Sequence, residues 1–291
     1  MQPTPAESLA LRSLLQSLCG VALADDKTYL LTTRLAAPLQ ARGITSFADY
    51  LQQLRQPGNQ SLRDELVDSL TTSETSFFRD PAVYRIFRER ILPWLVDVLH
   101  HRALGSKIPP VVRIWSAGCS TGQEPCSLAI AICEFLAGLA TPHPRQFSLV
   151  ATDFSRRVLA VAQRGVYTTR ELERGLTLGQ RQRHFRPAGE DWELLPEVRR
   201  LIDYRHASLL DSSSPAGPFD VIFCRNVLIY FDPPTRARVC ERLFRALNPG
   251  GVLVLGSAES LFGVTDLFVP VDAGGLSLYL RPDPGKTVPA W

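Results

Sequence analysis

The residues in this chain best suited to chemistry stand where apolar runs end. In Val111 to Leu128, VVRIWSAGCSTGQEPCSL, such a run stops at a small-residue loop holding Gly118 and Gly122 and then resumes as a helix. A buried parallel strand would deliver the chain to a turn in which glycine permits positive φ and a close backbone approach. Glu124 and Pro125 suit the first turn of the following helix, a carboxylate at the positive end of the dipole and a proline where no N–H is missed. The loop reads GxxxG, without the GxGxxG of dinucleotide sites or the lysine of a P-loop, so a nucleoside ligand lacking a polyphosphate fits better. A strand-to-helix turn with convenient glycines is the plainer alternative.

Two further runs end on polar groups. Ala151-Thr152-Asp153 places an acid where it can accept both hydroxyls of a ribose, or else cap the helix that begins near Ser155. The run Phe219 to Phe231, FDVIFCRNVLIYF, leads straight into Arg225 and Asn226. An arginine and an amide at the rim of an apolar sheet need partners, because unpaired buried polar groups are costly, and those partners are either a ligand or an internal ion pair.

These ends must be held by a scaffold, and its rhythm changes once. From Ala6 to about Thr72 the apolar spacing is helical: Leu9, Leu11, Leu14, Leu15 and Leu18, then Leu30, Leu31, Leu35 and Leu39. Gly43 ends one helix, Ser46 caps the next, and Pro57, Gly58 and Asn59 precede a helix over 61–70. Residues 80–104 read as a longer amphipathic helix, with Asp80 and Pro81 in cap and first-turn positions. After Ile108, strands alternate with helices, the signature of a doubly wound parallel sheet whose ligand sits at the carboxyl ends of its strands. Candidate strands are 111–115, 147–152, 220–224, 251–255 and 276–280. Between Gln180 and Ser208, two short alternating runs, 192–195 and 201–204, read as a small antiparallel insert on the rim.

Composition sets bounds on function. The chain has 291 residues, 45% of them apolar, and a net charge of only +3, so nothing in it calls for nucleic acid. Charge is uneven: residues 1–75 hold six Lys/Arg against eight acids, whereas residues 156–205 hold eleven arginines against seven acids, a basic face suited to an acidic partner. The six cysteines form no CxxC pair and sit among apolar residues, and the five histidines, His100 and His101 included, lack metal-ligand spacing; no metal is expected. No apolar run approaches the roughly 20 residues of a membrane span, and the first ten residues lack a signal-peptide pattern, so a cytoplasmic protein without membrane insertion is expected.

Taken together, the motifs resemble the chemotaxis receptor methyltransferases, the CheR family. The resemblance runs from about residue 6 to 281 and rests on motifs in order: TTSETSFFR at 71–79, the WSAGCSTGQEP loop, Ala151-Thr152-Asp153, CRNVLIYF, and Gly250-Gly251 followed by GSAES at 256–260. It implies an α/β fold: an all-α N-terminal domain over 1–75, then a Rossmann-like S-adenosylmethionine methyltransferase domain over 76–291 with a β-subdomain inserted at about 180–208. It also implies transfer of a methyl group from S-adenosyl-L-methionine, leaving S-adenosyl-L-homocysteine, to glutamate side chains of chemoreceptor cytoplasmic domains.

Carried over position by position, the resemblance puts Ser73, Thr75, Arg79, Gly118, Glu124, Asp153, Ser208, Leu209, Arg225 and Asn226 at the cofactor, and Arg79, Arg225 and Tyr230 at the reacting carboxylate. Four positions depart from the family pattern: Ser73 and Ser208 replace asparagines, Cys126 a tyrosine and Ser257 a histidine. A glutamate carboxylate is already ionised at neutral pH, so positioning rather than a strong base would drive transfer. The implied partner is the receptor's acidic helical bundle, docked beside Arg34 and Arg42; the short 184–208 segment with one glycine, Gly189, implies no dependence on a C-terminal pentapeptide tether. The competing readings are a methyltransferase for another substrate, against which the Arg-Asn-Val-Leu sequence stands where amino-methylating DNA enzymes carry a Pro-Pro loop, and a regulatory module that binds the cofactor without catalysis.

Overall fold

The computed structural model describes residues 2–210, 215 and 217–284. Four helices come first: α1 (Pro5–Cys19), α2 (Tyr29–Ala41), α3 (Phe47–Arg55) and α4 (Gln60–Leu70). Thr4 and Glu7 form a reciprocal cap on α1, and Ser46 caps α3 through the Asp49 N–H, so side chains satisfy helix-end donors that would otherwise be orphaned. The leucine stripes meet in one core, with Leu11, Leu15, Leu31, Leu35, Leu54 and Leu66 fully buried. Each contributes about 1.5–3 kcal/mol by leaving water.

A helical stretch then leads to the sheet: α5 (Pro81–Ile86), a π-turn (Phe87–Ile91) and α6 (Leu92–Ala103). The sequence reads as one helix here. Pro93 near the start of α6 has no N–H to donate, and the hydrogen-bond ladder resets through the wider turn before it.

The remaining elements are β1 (Val112–Ala117), α7 (Gln123–Leu136), β2 (Phe147–Asp153), α8 (Arg156–Arg164), β3 (Val166–Tyr167), α9 (Thr169–Glu173), α10 (Leu178–His184), β4 (Phe185–Ala188), β5 (Asp191–Leu194), α11 (Pro196–Arg199), β6 (Ile202–His206), β7 (Phe219–Phe223), α12 (Pro233–Ala246), β8 (Leu247–Val254), β9 (Val269–Asp272) and β10 (Ser277–Leu280). Seven strands form the main sheet in the order β6-β2-β1-β7-β8-β10-β9. The first five are parallel, while β10 and β9 pair antiparallel at one edge. From β1 the chain goes first to β2 on one side and later to β7 on the other. That reversal makes a crevice at the carboxyl ends of β1 and β7, where open α/β sheets bind ligands.

Both faces of the sheet are covered, by α5, α6 and α7 on one side and α12 on the other, and every residue of β7 is buried. Such strands can afford polar residues only at their ends.

The insert differs from the sequence reading. Of the two short runs, 192–195 lies in a separate antiparallel sheet, β3-β5-β4, but 201–204 belongs to β6, which extends the main sheet parallel to β2. The small sheet also draws on Val166 and Tyr167, upstream of the expected boundary at 180. β6 alternates because it is an edge strand with one wet face, and alternation alone cannot separate a parallel edge strand from a hairpin arm. The two-residue β3 is too short to leave a periodic signal.

Candidate functional site

The crevice opens into a cavity between the sheet's carboxyl ends and the N-terminal helices. Its floor is the loop between β1 and α7. Gly118 and Cys119 both donate their N–H to the Thr152 carbonyl at 2.9 Å, which ties the end of β1 to the end of β2. Gly118 has φ 82° and Gly122 φ 95°; a Cβ on Gly118 would stand 2.6 Å from Val227 Cγ2. Glycine is required here by conformation and by space.

Asp153 ends β2 and is 7% exposed. Each of its oxygens accepts one peptide N–H, Oδ1 from Ser155 and Oδ2 from Ser120, both at 2.9 Å. An ionised carboxylate has about four acceptor positions, so room remains for a ligand's hydroxyls. Burial raises the Asp153 pKa above the ordinary aspartate value, the peptide N–H groups of Ser155, Ser120 and Phe154 work against that rise, and the nearby Asp68 charge adds to it. The helix-capping alternative falls to Ser155, whose Oγ accepts the Val158 N–H and donates to Asp68 of α4.

Glu124, in the first turn of α7, is 9% exposed and spans two partners: Oε1 accepts from Ser116 Oγ at 2.7 Å and Oε2 from Arg225 Nη1 at 3.0 Å. Arg225 also donates Nη2 to Asp80 Oδ2 at 2.9 Å and to the Arg79 carbonyl at 2.6 Å. Three of its five N–H groups are thereby used by the protein. Its Nε is buried without a hydrogen-bond partner, and the Tyr84 ring lies 5.6 Å from the guanidinium carbon. Between the two openings left by the sequence, a ligand contact or an internal ion pair, the guanidinium makes the internal pair.

The remaining wall is the linker between the two regions. Ser73, Thr75 and Arg79 line the cavity, and Ser120 Oγ donates to the Ser73 carbonyl at 2.8 Å. Arg79 is half-buried, with Nη1 on the Glu74 carbonyl at 3.0 Å. Ser208 and Leu209 follow β6, and Asn226 and Tyr230 follow β7; all four line the same cavity. Asn226 is held at φ 56° while Glu259 Oε2 accepts its N–H at 2.5 Å and that of Gly256 at 2.9 Å. Thus the GSAES segment pins the loop after β7. Tyr230 reaches the cavity on a short turn whose carbonyl accepts the Ala22 N–H at 2.9 Å.

All the sequence-derived site residues therefore border one cavity. Sequence reasoning missed Cys19 and Val21 at the end of α1, which close it from the N-terminal side, and the carboxylate of Asp80. No local pattern marks Val21 or Asp80, since their partners Phe231 and Arg225 lie more than 100 residues away. The cysteines are not nucleophiles: burial pushes the thiols of Cys19, Cys133 and Cys240 up to about 11, leaving them protonated at neutral pH. Among the described residues, no cluster of His, Cys, Asp and Glu could hold a metal ion, and no helix is long and apolar enough to cross a membrane.

The donor set fits a cationic nucleoside ligand. Three acids, Glu74, Glu124 and Asp153, line the cavity against two arginines, Arg79 and Arg225, and the loop offers no phosphate-binding lysine.

Comparison with known proteins agrees with this geometry. Residues 6–71 match the family model for the CheR methyltransferase all-alpha domain, and residues 73–274 match that for the CheR methyltransferase SAM binding domain. The chain is 36% identical over 280 residues to chemotaxis protein methyltransferase 1 of Pseudomonas aeruginosa, covering 96% of this chain and 99% of that one. It is 34% identical over 269 residues to the chemotaxis protein methyltransferase Cher2 of Pseudomonas putida, covering 92% and 95%. With chemotaxis protein methyltransferase 1 of Vibrio cholerae it shares 38% identity over 255 residues, 87% and 89% of the two chains.

Proposed function

The chain belongs to the CheR methyltransferase family, and from that membership we propose how its own residues carry out the family's reaction. The protein is an S-adenosylmethionine-dependent methyltransferase of chemotaxis, acting on glutamates of chemoreceptors. When bound, S-adenosylmethionine supplies a methyl made electrophilic by the sulfonium. Asp153 accepts the ribose hydroxyls, the Gly118 loop and Glu124 flank the rest of the ligand, and Ser73, Thr75, Ser208, Leu209 and Asn226 complete the enclosure.

The acceptor glutamate is ionised at neutral pH and needs no base, so the chain's task is to aim it. With Arg225 committed to Glu124 and Asp80, Arg79 is the arginine left to hold the carboxylate. One of its nitrogens is on a carbonyl and the rest are free to share a carboxylate oxygen, while the Tyr230 hydroxyl donates a second bond. A shared grip is preferable to a tight clamp, since a group held too firmly is stabilised before the transition state.

The observation that carries this reading is Arg225's internal pairing beside a half-buried Arg79 at the same cavity. The test is methyl incorporation into a purified receptor fragment, with bound product measured separately. Arg79→Ala should lower single-turnover rates about 100-fold, and Tyr230→Phe several-fold, with product affinity changed little. Normal rates with collapsed product binding would make both residues cofactor ligands only.

For the partner, we read the methyl-accepting region as an acidic helical bundle docking against α2. Arg34 donates to the Thr71 carbonyl at 3.4 Å, close to the cavity's linker wall, whereas Arg42 is neutralised by Glu65, so Arg34 carries more of the attraction. Independence from a C-terminal pentapeptide is supported by the small sheet's short hairpin turn at Gly189 and by Glu193, which takes the charge of both Arg186 at 2.6 Å and Arg199 at 3.8 Å.

A further inference from the structure

Arg79 stands between two residues with left-handed backbones, Phe78 at φ 47° and Asp80 at φ 61°. Neither is glycine, and for a bulky aromatic residue that region of backbone space is a strained outlier. Such a pair persists only where the surroundings over-determine it, and three separate elements do so. From α7, Ser127 Oγ accepts the Phe78 N–H at 3.0 Å. From the loop after β7, Arg225 binds the Arg79 carbonyl at 2.6 Å and the Asp80 carboxylate at 2.9 Å. From the insert, Gly175 presses so closely that a Cβ would fall 1.8 Å from the Phe77 carbonyl oxygen.

Asp80 is the unusual member of this arrangement. It holds the N-cap position of α5 yet makes no side-chain cap bond, the stabilising contact an aspartate ordinarily supplies there. Its carboxylate goes to Arg225 instead, whose side chain is 2% exposed and also anchored on Glu124. A local stabilising contact has been given up for a long-range one that reaches the cofactor loop and the end of β7 together.

The consequence falls on Arg79. Among the described residues its side chain makes one hydrogen bond, from Nη1 to the Glu74 carbonyl, so much of the task of directing it falls to the turn. Reversal of φ on both sides takes Arg79 out of the path of α5 and onto the wall shared with Glu124 and Asn226. We infer that Asp80 is a positioning residue for methyl transfer: paired with the buried Arg225, it locks the left-handed Phe78–Asp80 turn and so fixes where the Arg79 guanidinium stands. The inference rests on the reading above that Arg79 holds the methyl-accepting carboxylate.

Asp80→Asn and Asp80→Gly in the full chain test it, because both residues accept a positive φ and both remove the charge. Three quantities are read: single-turnover methylation of a receptor fragment, affinity for S-adenosylhomocysteine, and amide hydrogen exchange of residues 77–80. Both variants should turn over at least 10-fold more slowly at saturating cofactor, bind the product within about twofold of the unmodified protein, and exchange at least 10-fold faster in 77–80 while α7 stays protected. Rates within twofold of the unmodified protein would overturn the inference, as would unchanged exchange in 77–80. Product affinity falling in step with the rate would also overturn it, by making Asp80 part of the cofactor site. If the unmodified protein methylated no receptor fragment, the reading of function would fail, and the exchange measurement would still decide whether Asp80 locks the turn.

Discussion

Two aspartates sit at opposite ends of the same sheet and are handled in opposite ways. Asp220, at the amino end of β7, is 2% exposed and saturated with donors. Oδ1 accepts from Arg102 Nη2 at 2.5 Å and Asn248 Nδ2 at 2.7 Å; Oδ2 accepts from Arg102 Nη1 at 3.1 Å and the Arg113 N–H at 2.8 Å. Asp153, at the carboxyl end of β2, is nearly as buried but has one peptide N–H on each oxygen, and the charge nearest to it in effect is another acid, Asp68. Burial is similar, yet only one of the two is electrostatically complete. A buried acid left short of donors is costly unless something else supplies them, and that difference separates the end that holds the fold together from the end that binds.

The largest effect that would break this comparison is on stability. Asp220→Ala should destabilise the protein by about 3 kcal/mol, because it strands the Arg113 N–H and the Asn248 amide and removes the bidentate partner of Arg102. Denaturant unfolding measures the loss, and calorimetry on the still-folded protein should find product affinity unchanged. A variant of normal stability would show that saturation by four donors does not mark a structural acid.

At the other end the pattern should invert. Asp153→Ala should weaken binding of S-adenosylmethionine and its product by about 1.5 to 3 kcal/mol, roughly 10- to 150-fold, while costing less stability than Asp220→Ala. Its removal also relieves the burial of an incompletely satisfied charge, which offsets the loss of the bonds from Ser120 and Ser155. Unchanged affinity by calorimetry would remove Asp153 from the ribose.

The contrast also explains what was legible in the sequence. The cavity's floor could be read because strand, glycine loop and helix are consecutive, and so Gly118, Glu124 and Asp153 stood out with their chemistry. Arg225 could be read as a group in need of a partner, but the partner could not be named. It depends on Asp80, 145 residues away, through a turn whose left-handed angles leave no compositional trace. Asp80 was instead legible as a helix cap, which is what that residue type does when only local forces act. The same limit put residues 201–204 in the wrong sheet, since an edge strand's register is set by its neighbour β2. Asp220 gave no sign of its role, because Arg102, Arg113 and Asn248 are brought to it only by the folded sheet.

The smallest and sharpest effect is on pH dependence. Burial raises the Asp153 pKa above its unfolded value, so the ligand-free fold favours the protonated acid; the stability this contributes is fully present below the unfolded pKa and is lost as pH rises through the folded one. A ligand that donates two hydroxyls prefers the ionised carboxylate and pulls the equilibrium the other way. Affinity for S-adenosylhomocysteine should therefore fall as pH drops through the folded pKa, by up to about tenfold per pH unit, with a midpoint above the roughly 3.9 of a free aspartate. Near that midpoint, binding should release a proton, visible as a binding heat that varies with the ionisation enthalpy of the buffer. Asp153→Ala should flatten this dependence and abolish the proton release, whereas Asp220→Ala should leave both as they are. If the Asp153 variant kept the acid-side fall in affinity, the titrating group would be another one, and the incomplete solvation of Asp153 would lose its link to binding.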